Sequence, residues 1–289
     1  MKVAGFSFIK NAILYDYPIR EALLSIAPLC DELFLAVGKS EDGTLEMIEE
    51  MELPQLRIIE TEWNAELREG GAVLADETNK AFDAIPADAD WCVYIQGDEV
   101  LHENGYKELR TTMSKYKDNP GVEGLLLNYR HFYGSYDYIG DSRKWYRREV
   151  RVIKNDKAIR SYKDAQGFRK DGRKLRVKAT NAWMHHYGWV KHPEKQQQKM
   201  QSFNRLWHDE QWMDKHVPKV DAFDYSQIDS LQKFDGTHPK VMLERIDRMN
   251  WAFSFDPTSK NFGLKERVSR WIERVTGWRP GEYKNYKLF

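Results

Sequence analysis

The sequence predicts an α/β fold: a mostly parallel sheet covered on both faces, continued by an antiparallel extension and followed by a C-terminal helical subdomain. Three observations lead there. Short apolar runs alternate with helically spaced segments through the first hundred residues. The pattern then changes to apolar and aromatic strands with glycine turns, and beyond about residue 190 the chain turns Trp-rich and helical. Strand and helix in alternation imply right-handed crossovers between parallel neighbours.

The elements follow in order. Residues 3–9 (VAGFSFI) form a short apolar run suited to a buried strand, and 19–27 has helical spacing through Ile19, Leu23 and Ile26. Residues 32–37 (ELFLAV) give a second strand ending at Gly38. Gly43-Thr44 opens a helix with Leu45, Ile48 and Met51 at helical intervals, closed near Pro54. A third strand is expected at 56–59, a helix at 72–85, and a fourth apolar strand at 91–95 (WCVYI), stopping at Gln96-Gly97. Residues 125–133 and 145–153 read as the antiparallel extension.

With 289 residues the chain can bury one substantial core beside a helical appendage. Charged residues at 31% and apolar ones at 41% describe a globular composition. No apolar stretch approaches the roughly 18 residues of a membrane span, and the first one breaks at Lys10, so a cytoplasmic address is expected. Cys30 and Cys92 sit inside apolar runs and read as reduced core residues. A net charge of +0 argues against nucleic acid as a partner. Yet residues 143–178 carry fifteen Lys or Arg against four acids, and 41–62 eight acids against one Arg, so one region is expected to attract phosphates or to be a solvated basic face.

In open α/β sheets ligands collect beyond the carboxyl ends of the strands. Three polar clusters fall there: Lys10-Asn11, residues 39–44 (KSEDGT), and Gln96-Gly97-Asp98-Glu99. Hard divalent cations prefer carboxylate oxygen and bridge it to substrate phosphates, which marks Asp98 and Glu99 as metal candidates, with a solvated strand-end turn as the alternative. Asp42 also reads as a local helix cap.

In order and spacing these clusters resemble the family 2 inverting glycosyltransferases with the GT-A (Rossmann-like) fold, from Gly5 to about Leu101. Residues 40–44 look like that family's S-T-D-G-T turn, Asn79-Lys80 stand where it has a polar pair on a helix, and 96–99 look like its D-A-D-E metal motif. The likeness is closest to bacterial enzymes that build lipopolysaccharide or capsule glycans. It implies a nucleotide-sugar donor, a Mn²⁺ or Mg²⁺ cofactor, and a glycan or lipid-linked acceptor. It further implies a catalytic domain over 1–190, with its nucleotide-sugar half at about 1–101 and its acceptor half at 102–190, before a helical subdomain at 191–289. Donor contacts are expected from Lys10, Asn11, Lys39, Asp42, Asn79, Lys80, Gln96 and Gly97. Two departures stand out. Gln96 replaces the first acid of the metal motif, which leaves the metal to Asp98 with Glu99 in support. Val37 and Gly38 stand where the family has acids before its turn, so Asp42 and backbone groups recognise the base, or the donor is not the common uridine nucleotide.

A histidine beyond the core sheet completes the metal site in many enzymes of that fold. Here the candidate is His186, in residues 183–190 (WMHHYGWV); aromatic packing with satisfied ring nitrogens is the alternative for His185-His186. Inverting transfer needs a carboxylate to take the acceptor's proton, and Asp164, in 162–169 (YKDAQGFR), is the chosen base, with Glu149 and Asp137 behind it. Arg147, Arg148, Arg151 and Lys163 are candidates to help the leaving group, unranked. In the tail, Leu264, Val268, Trp271, Ile272, Val275 and Trp278 form a helical stripe among Lys265, Arg267, Arg270 and Arg274. Residues 264–278 are therefore expected to meet either a membrane at its inner face, or the catalytic domain or a second subunit in a homodimer. Two competing functions remain on the sequence: a nucleotidyltransferase of similar fold, disfavoured by a glycine-free 8–17 loop, and a non-catalytic glycan-binding protein using the 10 Trp and 15 Tyr.

Overall fold

The structure is a computed structural model and describes residues 1–64, 66–67, 69–205, 210–216 and 220–289. The first half runs β1 (Val3–Ile9), α1 (Ile19–Ile26), β2 (Glu32–Gly38), α2 (Thr44–Glu49), β3 (Leu56–Thr61), α3 (Ala72–Asp83) and β4 (Trp91–Tyr94). It continues through β5 (Glu99–Leu101), α4 (Tyr106–Lys115), β6 (Gly124–Tyr133), β7 (Ser135–Gly140) and β8 (Arg148–Lys154). A small separate sheet follows, β9 (Ile159–Tyr162), β10 (Gly167–Lys170) and β11 (Arg173–Lys174), and then the long β12 (Arg176–Trp189). The last part holds α5 (Pro193–Arg205), α6 (Glu210–His216), β13 (Leu231–Lys233), α7 (Leu243–Asp247), α8 (Leu264–Thr276) and β14 (Lys287–Leu288).

The main sheet has a parallel half and an extension in which β8, β6 and β7 pair antiparallel while the long β12 runs parallel to β6. Parallel pairing joins β4, β1, β2 and β3; the runs of β4, β1 and β2 are apolar on both faces because both faces are covered, and β3 lies at the edge with Arg57 and Glu60 exposed. On one face Ile19, Leu23 and Ile26 of α1 and Leu109 and Met113 of α4 pack on Leu33, Leu35, Val93 and Ile95. On the other, Phe82 of α3 and Phe168 of β10 pack on Phe6, Phe34 and Tyr94. Each such fully buried side chain contributes roughly 1.5 to 3 kcal/mol by leaving water. Antiparallel pairing carries the sheet on from β4 through β8 to β6.

Two features differ from the expected pattern. Residues 145–147 precede β8 rather than beginning it: Trp145 and Tyr146 turn their rings toward His131, and the Tyr146 carbonyl accepts from that ring. The chain beyond 190 also returns strands to the sheet, β13 to β7 and β14 to β12, between its helices. These strands are two or three residues long, too short for a period-2 signal to be seen in sequence.

One pairing positions the site. The short β5 runs antiparallel to β12 with His186 opposite Glu99 and His185 opposite Val100, and the Tyr187 amide donates to the Asp98 carbonyl at 2.8 Å. Alternation along the strand then sends His185 and His186 to opposite faces. His185 lies buried against Phe132, Tyr187 and Arg130. His186 faces the carboxyl end of β4.

Candidate active site

The carboxyl ends of β1 and β4 open on a cavity of about 410 Å³ that side chains of α5 also line. Of the sequence-predicted residues, Lys10, Asn11, Gln96, Gly97, Asp98, Asp164 and His186 meet there, from β1, β4, the turn between β9 and β10, and β12. Asn11 adopts φ 52, a left-handed conformation that Asn tolerates better than most residues.

Asp98 is the centre of the arrangement. Its side chain is 13% exposed. The Lys199 ammonium, from α5, donates to Asp98 Oδ2 at 3.1 Å and to the Gly188 carbonyl at 3.0 Å. Burial alone would raise the pKa of this carboxyl, but the Lys199 ammonium holds it well below the usual range, so it is ionised at any working pH. A Cβ on residue 188 would lie 2.6 Å from Asp98 Oδ2 and 2.7 Å from the His186 ring, which is why glycine stands there.

The other carboxylate oxygen meets an imidazole. His186 Nε2 stands 3.7 Å from Asp98 Oδ1, beyond hydrogen-bond reach. A chain of hydrogen bonds assigns its protons. The Tyr146 carbonyl can only accept, so His131 Nε2, at 2.8 Å, carries the hydrogen. Burial keeps both histidines neutral by lowering their pKa values. His131 Nδ1 is therefore an acceptor, and His186 Nδ1, at 3.2 Å, donates to it. His186 Nε2 is left with a lone pair and stands 3.7 Å from a carboxylate oxygen. Two acceptors thus face one another with no proton between them, as when a cation lies between two ligands. Ligands held at about 2.1 Å by one small divalent cation stand roughly 3 to 4 Å apart, so Asp98 and His186 fit such an ion. Among the described residues no group of three or more His, Cys, Asp or Glu converges.

Glu99, expected to support the metal, is elsewhere. It is fully buried, takes Arg151 Nε at 2.8 Å and Nη2 at 2.7 Å, and accepts from the Tyr129 hydroxyl at 2.7 Å and the Gln96 amide at 3.1 Å. Its oxygens are engaged by the protein, whereas the likeness to the metal motif would place them at the ion. Gln96 is likewise engaged by the protein. Its side-chain nitrogen donates to the Ala165 carbonyl at 3.1 Å, while Arg151 Nη1 donates to the Gln166 carbonyl at 2.8 Å. Together they clamp the turn that carries Asp164. Lys163 and Ala165, on either side of Asp164, have φ 54 and φ 60, a strained conformation that the clamp sustains.

The remaining donor candidates lie outside the cavity. Asp42 accepts from the Thr44 and Leu14 amides, and the Thr44 hydroxyl accepts from the Ala12 amide, so the SEDGT turn braces the loop that begins at Asn11. Lys39 is exposed and reaches Glu62 at 3.8 Å. Asn79 zips α3 to β9 through the Ser161 backbone, and Lys80 pairs with Glu77 and Asp76. Of the leaving-group candidates, Arg151 serves Glu99, and Arg147 serves Glu273 and Glu282. Of the other base candidates, Asp137 sits in β7 beside Ser135.

Several functional candidates carried no sequence signal. Lys199 and Gln196 belong to a helix polar on most of its surface, whose face toward the cavity also carries Met200 and Phe203. Gln196 is 1% exposed, lines the cavity, and neither its amide nitrogen nor its oxygen has a hydrogen-bond partner among the described residues. A buried amide costs about 1 to 3 kcal/mol when unpaired, so it points to a ligand that satisfies it. Tyr17 presents its ring to the Lys191 and Lys199 ammonium groups at 4.6 and 5.0 Å.

A second cleft adjoins the cavity, sharing Tyr146 and Gln166 with it, and holds Glu149. Burial pushes the Glu149 carboxyl up from 4.5 to about 7, against the pull of Arg151. The folded state thus holds this proton more tightly than the unfolded chain. Its contribution to stability is full below about pH 4.5 and is lost as pH rises through about 7. Glu149→Gln is therefore expected to gain on the parent protein between about pH 5 and 8, by on the order of 3 kcal/mol, in thermal melts across that range. Parallel pH profiles for the two proteins would contradict the assignment.

No family model matches the sequence, and no curated protein matches it. Among solved structures, the chain is similar to S. aureus TarS at 15% identity, covering 70% of this chain and 39% of that one, with a TM-score of 0.41. It is similar to a 4-diphosphocytidyl-2C-methyl-D-erythritolsynthase from Anaerococcus prevotii at 11% identity, over 66% and 89% of the two chains, TM-score 0.38. A third is the Mycobacterium tuberculosis glucosyl-3-phosphoglycerate synthase in complex with Mn²⁺, UDP and phosphoglyceric acid, 16% identical over 45% and 43%, TM-score 0.30. The chain thus spans 39% of the length of TarS, and such scores assign no activity to it.

Proposed function

We propose that the protein is a glycosyltransferase that moves a sugar from a nucleoside-diphosphate donor to an acceptor hydroxyl with inversion. The observation that carries this reading is the pair of facing acceptors, Asp98 Oδ1 and His186 Nε2, at the carboxyl ends of β1 and β4 beside an ammonium and an unpartnered amide. Asp98 and His186 would hold Mn²⁺ or Mg²⁺, and the bound ion supplies positive charge to the diphosphate as it leaves. Lys199, already in the cavity, and Lys10 at its rim add fixed positive charge for the same oxygens. Gln196 and Asn11 offer amides to the donor's hydroxyl groups.

Asp164 is the proposed base. It takes the proton from the acceptor hydroxyl as that oxygen forms its bond to the anomeric carbon, and the bond from that carbon to the diphosphate breaks on the opposite side. The clamp from Gln96 and Arg151 fixes where Asp164 stands, which is what a reaction needing two groups in line requires. Glu149, with a carboxyl poised near neutrality in the adjoining cleft, is the second candidate for this role.

The test is a thermal-shift series of nucleoside diphosphates with and without Mn²⁺. One of them together with the metal is expected to raise the melting temperature by about 5 °C near a hundredfold excess over Kd, and neither alone to do so. No shift with any nucleotide, with or without metal, would sink the proposal.

A further inference from the structure

The tail helix α8 separates its residues by chemistry in a way that nothing in the site requires. Its two acids point inward: Glu266 accepts from the Arg143 amide at 3.2 Å, and Glu273 pairs with Arg143 at 2.8 Å and Arg147 at 3.0 Å. Arg270 also turns inward, donating to the Asp141 carbonyl at 2.7 Å, and Ile272 is half-buried. Outward stand Leu264, 83% exposed, with Val268, Trp271, Val275 and Trp278, each more than half exposed. Flanking them are the exposed Lys265, Arg267 and Arg274. The outer face of α8 thus holds four large apolar side chains, three cations and no acid, and Trp278 just past the helix adds a fifth. Gly277, at φ 69, ends the helix and sets Trp278 beside the same face.

We infer that this face docks on an anionic lipid surface. The tryptophans are the side chains that favour the headgroup boundary, and the cations match anionic headgroups. A second copy of the chain is the rival occupant, since the apolar residues recur at intervals of four and three, as in a coiled-coil seam. The flanks oppose it, because every exposed charge beside that seam is positive and self-pairing sets cation against cation. At 13 residues α8 lies along a surface, and among the described residues no helix is long and apolar enough to cross a membrane. The cleft holding Glu149 is walled by Lys265, Glu266 and Ser269 of this helix. Docking therefore sets the Lys265 edge of that cleft beside the lipid surface, and, on the glycosyltransfer reading, the acceptor is then lipid-borne.

Co-sedimentation with vesicles of phosphatidylcholine, with and without phosphatidylglycerol, tests the docking without using activity. The full chain is expected to bind the anionic vesicles and to leave them at high salt. Trp271→Ser with Trp278→Ser should weaken binding at least about tenfold, and Lys265→Glu with Arg267→Glu and Arg274→Glu by about a hundredfold. All five positions are exposed, so melting curves should match the parent and nucleotide-dependent thermal shifts should persist; those shifts report separately on the donor site. No sedimentation with anionic vesicles, equal binding to neutral ones, or a dimer in solution that the Trp pair dissolves would each overturn the inference.

Discussion

Asp98→Asn is expected to lower kcat by about a thousandfold while leaving the fold intact, because on the proposed glycosyltransfer about 4 kcal/mol of stabilisation of the leaving diphosphate would come from the cation this carboxylate holds. The substitution keeps the shape of the side chain but removes its charge. Lys199 loses its ion-pair partner, and the His186 lone pair faces a neutral amide. Titration with Mn²⁺ followed by electron paramagnetic resonance, in the presence of the best nucleoside diphosphate, should then show no tight site. Lys199→Met separates the two cations: since Lys199 uses Oδ2 and leaves Oδ1 to face His186, Mn²⁺ binding should survive while nucleotide affinity falls. A wild-type rate in Asp98→Asn, or Mn²⁺ titrations that match the parent, would remove this carboxylate from the mechanism. Activity of the parent is expected to hold toward low pH until a group other than Asp98 titrates, since Lys199 and its neighbours keep that carboxyl ionised far below neutrality.

The parts of this molecule that could be read from its sequence are those whose partners are near in the chain. β1, β2 and β4 announce themselves as apolar runs because both faces are covered, and α1 and α3 by their spacing. The ligand-gathering strand ends follow from that order alone. Harder to see is anything that depends on distant pairing. β5 is three residues long and extends only because β12 lies beside it, and this same pairing decides that His186, not His185, meets Asp98. By residue type alone Asp98 and Glu99 stand equal. Only the position of Arg151, on β8, shows that one carboxylate is consumed by the interior and the other left for the cavity. Lys199 and Gln196 sit in a run, EKQQQKMQ, with no apolar periodicity to say which face is inside. Their role depends on α5 closing against the sheet, which no local pattern encodes.

The buried Glu99–Arg151 pair gives the other large effect. Both side chains are fully buried, and burial would by itself weaken the guanidinium's hold on its proton; Glu99 more than compensates. Removing one partner leaves a charge in the interior without its counterion, at a cost of about 3 to 5 kcal/mol. Arg151→Met should therefore drop the melting temperature by roughly 10 °C or more. Replacing both, as Glu99→Leu with Arg151→Met, leaves no orphaned charge and should recover much of that loss, since apolar side chains of similar size often substitute for a buried pair. Activity should not return with stability. The double variant still lacks the Nη1 donor to the Gln166 carbonyl and the carboxylate that accepts from the Gln96 amide, so the turn carrying Asp164 loses two of its supports. Misplacing a reacting group by about an ångström costs on the order of a hundredfold in rate. Stability and kcat recovered together would show that the pair serves the fold alone; stability recovered without kcat ties this buried charge to the position of the proposed base, Asp164.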